Sequence, residues 1–208
     1  MESVDWSAIV NAVTTAAVGI WTAWFTYNQK TKDKLTDLKI EQYKKEMKKR
    51  SFKRSEDTAK VLGALNKILL GANADRVYIV QPHPLGHIAF LSIQFEVKAN
   101  GVQGMRYEVQ KLEMSDVPKF CERMVNNLWM YLDNIDEQVQ DPYAKALLSS
   151  NGTKVAAIKR MSTARDWVGS IFIEYIEEPE IDQETLKKLA HDSALVIRYI
   201  LPEFKEHN

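Results

Sequence analysis

The segment Ala8 to Tyr27, AIVNAVTTAAVGIWTAWFTY, carries no charge over 20 residues and constrains the chain more than any other feature. At about 1.5 Å per residue, a helix of this length crosses a hydrocarbon core of about 30 Å. Trp21, Trp24 and Tyr27 gather at its C-terminal end, Trp6 precedes it, and Lys30 and Lys32 follow. Those are the residue types that anchor at the two water–lipid interfaces. The pattern predicts a short tail (residues 1–7), a transmembrane helix over 8–27, and the lipid bilayer as a partner. A secretory signal does not fit, because MESVD is acidic, the apolar run is too long and lysines stand where a cleavage site belongs. Within the segment Asn11, Thr15 and Gly19 share an i, i+4, i+8 stripe. Polar and small residues in that arrangement favour helix–helix association, so a homo-oligomer is expected.

The formal net charge of zero hides a polarity along the chain. The first 27 residues carry Glu2 and Asp5 and no basic side chain, residues 28–60 carry +6, and the remainder is acidic. Basic residues flanking a span stay in the cytoplasm, which predicts a short external N-terminus and a cytoplasmic body. Residues 28–54 lack Gly and Pro and are rich in Lys, Glu and Gln, which predicts a basic helical stalk. Its run KKEMKKRSFKR (Lys44 to Arg54) suits anionic lipid headgroups. Nucleic acid is not expected as a partner, because the following region is acidic and carries no basic surface with interleaved aromatics.

Residues 55–208 supply one globular domain. Ser55, Glu56 and Asp57 are expected to start a helix whose face is Val61, Leu62, Leu65, Ile68 and Leu69, with Gly71 at its end. A strand from Arg76 to Gln81 should stop at Pro82 and Pro84, and a second strand is expected over His87 to Val97. After a turn at Asn100 to Gly104 and a short strand in MRYEVQKLEM, Ser115, Asp116 and Pro118 open a helix bearing Phe120, Met124 and Leu128. Asp141–Pro142 starts another helix. Strands follow over Thr153 to Met161 and Trp167 to Ile176, and Asp182 caps a last helix with the stripe Leu186, Leu189, Ala190, Ala194, Ile197 and Leu201. This order predicts an α+β domain around an antiparallel sheet.

The residues offer little chemistry. His83 and His87 have H-x-x-x-H spacing, but Pro84 and Gly86 exclude the helix that zinc binding at that spacing needs. Cys121, the single cysteine, lies beside Phe120 on an apolar helix and is expected to be packed. Ser149-Ser150-Asn151-Gly152 forms neither a phosphate loop nor a nucleophile elbow. No catalytic, metal-binding or cofactor-binding residue is expected, and the chain is read as non-enzymatic.

Two resemblances rest on these segments. The opening helix with ADRVYIVQ, and VGSIFIEYIEE followed by IDQETLKKLAHDSALVI, resemble GAF-like domains over about Ser55 to Leu201. That resemblance implies a central antiparallel sheet with the first and last helices together on one face, and either a small ligand or dimerisation. The full layout of uncharged span, charged stalk and such a domain resembles the holins of T-even-like phages. That implies a single-pass protein of the bacterial (host) inner membrane, host-cell lysis through self-associating spans, an antiholin as regulatory partner, and a periplasmic rather than cytoplasmic domain. The alternative expectation is a membrane-tethered sensor or adaptor whose GAF-like domain binds a small ligand or a protein.

Overall fold

The computed structural model describes residues 6–85, 88–162 and 167–201. The side chains of residues 6–13, 31, 33, 35, 36, 84, 85 and 88 also lie outside the description. By its internal contacts the chain divides into two compact units, Met1–Ser55 and Glu56–Asn208.

The first helix, α1 (Trp6–Gly71), runs through both units. Nothing in the sequence between them breaks it: Glu41–Lys45 and Glu56–Lys60 form i,i+4 ion pairs on its surface, and Ser55 continues the helix rather than capping a new one. Among the described residues no helix is long and apolar enough to cross a membrane, so the expected transmembrane helix over 8–27 is overturned, and the inner-membrane placement with it. The physical reason lies in the polar content of the segment. Thr14, Thr15, Thr22 and Thr26 dilute its apolar surface. The Thr22 hydroxyl donates to the Val18 and Gly19 carbonyls and that of Thr26 to the Thr22 carbonyl, each within its own helix.

The second unit is built on six strands: β1 (Arg76–Leu85), β2 (Ile88–Lys98), β3 (Leu112–Glu113), β4 (Trp129–Leu132), β5 (Val155–Ser162) and β6 (Trp167–Tyr175). They form one antiparallel sheet in the order β3-β2-β1-β6-β5-β4. Each half is a meander of sequence neighbours, and the β1–β6 pair joins the halves. The strand expected to stop at Gln81 continues through both prolines. Its register with β6 ends at Val80↔Ser170, while β2 follows it to Leu85, so the missing N–H groups fall where the ladder is one-sided.

One face of the sheet packs against the end of α1 and against α5 (Gln183–Ile197). Val61, Leu65 and Ile68 of α1 and Leu186, Ala190 and Ile197 of α5 are fully buried there. Asp182 caps α5 through its side chain, which accepts from the Thr185 N–H. The opposite face carries α2 (Pro118–Asn126), α3 (Ile135–Gln138) and α4 (Pro142–Ser150). With both faces covered, β6 buries Ile171, Phe172 and Ile173 alike, so its apolar run is continuous rather than alternating.

Candidate functional site

On the face covered by α2 and α4, the sheet bears a polar cluster at one end and an apolar region beyond it. Arg76 on β1 and Glu174 on β6 are register partners, and both side chains are fully buried. Arg76 Nε donates to Glu174 Oε2 at 2.9 Å, and an Nη donates to Thr153 Oγ1 at 2.7 Å. The remaining guanidinium donors reach the carbonyls of Gln103 and Asn151, at 3.0 Å each. Thr153 Oγ1 also lies 3.0 Å from Glu174 Oε2, and the Tyr78 hydroxyl donates to Glu174 Oε1. Burial, then the Glu174 charge, pushes the Tyr78 phenol well above its usual range. Burial raises Glu174 too, against the pull of Arg76. Every donor of the guanidinium has an acceptor, and Arg76, Tyr78 and Glu174 have almost no exposure. The cluster holds the turns at Gln103 and at Asn151–Thr153 onto the sheet and offers no open position to a substrate.

The apolar region is closed as well. Tyr78 stacks on Phe172 with ring centroids 5.1 Å apart, and Phe120 of α2 lies 6.2 Å from Phe172. Together with Val80, Leu91, Met124 and Leu148 they line a void of about 40 Å³. That is room for about one water, in a lining with too few polar groups to hold it. Asp141 stands at the N-cap of α4 without a side-chain cap bond there; its Oδ2 accepts instead from the Phe120 N–H in the first turn of α2 at 2.6 Å. Cys121 is buried beside it. Burial, then the Asp141 charge, pushes the thiol up to about 11, so it is packed and unreactive at neutral pH.

The roomier concavity lies elsewhere, at the C-terminal end of β4. A groove of about 610 Å³ is bordered by Tyr131, Asp133 and Asp136, by the turn Gly152–Lys154, and by Glu178 with Gln183 at the start of α5. Burial, then the charges of Asp133 and Glu178, raises the Tyr131 phenol. Lys154 is the groove's basic member. The preceding sequence gave little sign of this site, because Trp129–Leu132 follows α2 directly and reads as its continuation.

The residues nominated from sequence fall in the first unit. The side chains of Asn11 and Trp6 lie outside the described residues. Thr15 and Gly19 are on the surface of α1, and a Cβ added at Gly19 would meet nothing within 4 Å. Trp21, Trp24, Tyr27, Lys30 and Lys32 are exposed, and Trp21 stacks on Phe25 at 5.8 Å. His83 lies on β1, and His87 is outside the described residues. Among the described residues no group of three or more His, Cys, Asp or Glu could hold a metal ion.

No family model and no curated protein matches this sequence. Solved structures do match its fold. The GAF domain of PixJ from Thermosynechococcus elongatus, in its blue-light absorbing form, aligns with TM-score 0.55 at 14% identity, over 70% of this chain and 87% of that one. A GAF domain/HD domain protein from Geobacter sulfurreducens aligns with TM-score 0.53 at 9% identity, over 71% and 95%. The GAF3 domain of a Synechocystis protein, in its photoproduct state, aligns with TM-score 0.53 at 11% identity, over 70% and 97%. At these identities the likeness is one of fold: the second unit is GAF-like. None of these is a lysis protein, and with the span gone the holin resemblance, with its phage, lysis and antiholin expectations, has no support.

Proposed function

We propose that the chain is a non-enzymatic regulatory adaptor, a GAF-like domain carried on a self-associating helix, whose partner is a protein rather than a cyclic nucleotide or chromophore. The observation that carries this reading is the state of α1 in the first unit. Val18, Ile20, Trp21, Trp24, Phe25 and Tyr27 are all exposed there, Trp21 by 63% and Tyr27 by 71%. So many large apolar side chains exposed on one helix are stable only when they are covered. Copies of the same helix would cover it, with Leu38, Ile40, Tyr43 and Met47 continuing the contact. The filled face of the domain supports the second half of the reading, since a void of about 40 Å³ admits neither a nucleotide nor a tetrapyrrole.

Sedimentation of the full chain tests the first half. A dimer or higher oligomer is expected, with dissociation in the Trp21→Glu/Trp24→Glu variant. A monomeric parent chain, or one that binds lipid vesicles in place of itself, would overturn it. For the second half, saturating cyclic nucleotide or bilin is expected to leave the melting temperature unchanged.

A further inference from the structure

The strand order leaves β4 at one edge of the sheet, with β5 on its inner side. The Arg160 N–H donates to the Leu128 carbonyl, and Trp129 pairs with Lys159. Alternation in an antiparallel ladder then turns the N–H and C=O groups of Leu128, Met130 and Leu132 toward β5. Those of Trp129 and Tyr131 face outward. Among the described residues neither Trp129 nor Tyr131 has a backbone partner on that side. Edge strands are commonly closed off by lysine, proline or a bulge. Trp-Met-Tyr-Leu contains no charge and no proline, and its register with β5 is unbroken.

The groove described above meets this strand at its C-terminal end, at Tyr131 and Asp133. Its carboxylates, Asp133, Asp136 and Glu178, outnumber its one lysine. Asp136 and Glu178 are exposed and stand on the segments that flank the strand end. We propose that β4 is a docking edge for an extended, lysine- or arginine-bearing peptide segment of a partner protein, added as a seventh strand. Backbone bonds to Trp129 and Tyr131 supply the pairing, and the carboxylates select basic side chains at alternate positions. This rests on the adaptor reading and names the partner's chemistry. It is independent of self-association by α1.

The test uses the full chain and a fluorescein-labelled peptide of about ten residues alternating Lys with Thr and Val, long enough to span the edge strand. A matched peptide carries Glu in place of Lys. Anisotropy titrations are expected to show binding of the Lys peptide alone. Affinity should fall about tenfold or more in the Asp136→Lys/Glu178→Lys variant, and should fall with added salt. Both substituted side chains are exposed, and the far-ultraviolet spectrum checks that the variant folds. Residue-resolved hydrogen exchange supplies the geometric readout. Peptide binding should slow exchange at the Trp129 and Tyr131 amides, while Met130 and Leu132, already bonded to β5, stay unchanged. No binding, equal binding of the Glu peptide, or binding without protection at Trp129 and Tyr131 would each overturn the proposal. Sedimentation of the same samples reports on self-association separately, so failure of one reading is distinguishable from failure of the other.

Discussion

Arg76 and Glu174 face each other across the β1–β6 pair with an Nη–Oε2 distance of 2.8 Å and no exposure of either side chain. Removing one partner leaves the other charge buried without compensation. Arg76→Met is expected to cost about 3–5 kcal/mol, measured by urea unfolding. The double variant Arg76→Met/Glu174→Leu should recover most of that loss, because no unpaired ion remains. Equal losses in the single and double variants would show that the turn contacts to Gln103 and Asn151, not the charge pair, carry the effect.

Phe172 lies between Tyr78 and Phe120, and Ile171 points to the opposite, equally buried face. Phe172→Ala should cost about 3–5 kcal/mol and Ile171→Ala about 2–5 kcal/mol. A small loss at either position would contradict a sheet covered on both sides.

Gly169 and Gly63 are expected to respond oppositely to alanine. Gly169 has φ +150°, and a Cβ there would sit 2.8 Å from the Val80 carbonyl oxygen, a backbone atom of the neighbouring strand. Gly169→Ala should therefore lower the melting temperature clearly. At Gly63, on α1, a Cβ meets nothing within 4 Å, so Gly63→Ala should stabilise by about 0.5–1 kcal/mol through helix propensity. Thermal denaturation of the two variants decides both points.

The Cys121 thiol is raised from 9.0 to about 11 in the folded domain. A raised thiol contributes stability that is complete below about 9 and is lost as the pH climbs toward about 11, because the unfolded chain ionises first. Cys121→Ala should flatten part of the alkaline fall in stability without changing its profile below pH 8. Alkylation of the native thiol at pH 8 should be slow and should accelerate in denaturant. Rapid native alkylation would mean that the α2 face opens.

Much of the domain's fold was legible because its signals are local. The stripe Val61, Leu65, Ile68 and the stripe Leu186, Ala190, Ala194, Ile197 repeat with helical period, and both are buried where that period puts them. The apolar run of β6 marks a strand without needing its neighbours. What was illegible depends on distant residues or on context. Arg76 gives no sign locally that its partner lies 98 positions on. Pro82 and Pro84 read as a stop because only the register shows that β6 no longer flanks them. The uncharged segment read as a span because aromatic residues and threonine, surrounded by alanine and valine, imitate lipid-facing residues until its polarity is weighed. The candidate site at β4 was hidden for a related reason. Four residues after a helix carry too little period to be told from its last turn, and an edge is a property of strand order.

The two meanders that make up the sheet have a further consequence. β1, β2 and β3 are completed by residues up to Glu113, and β4, β5 and β6 by residues from Trp129 on, with the β1–β6 pair as the ladder between the halves. A break placed at Asn127, after α2, would therefore divide the domain into two fragments that each keep an intact run of neighbouring strands. Their reassembly would have to rebuild the junction of Arg76 with Glu174 and of Tyr78 with Phe172. The fold is thus laid out as a split-protein pair, in which recovery of the folded signal on mixing reports the encounter of whatever the two fragments are fused to.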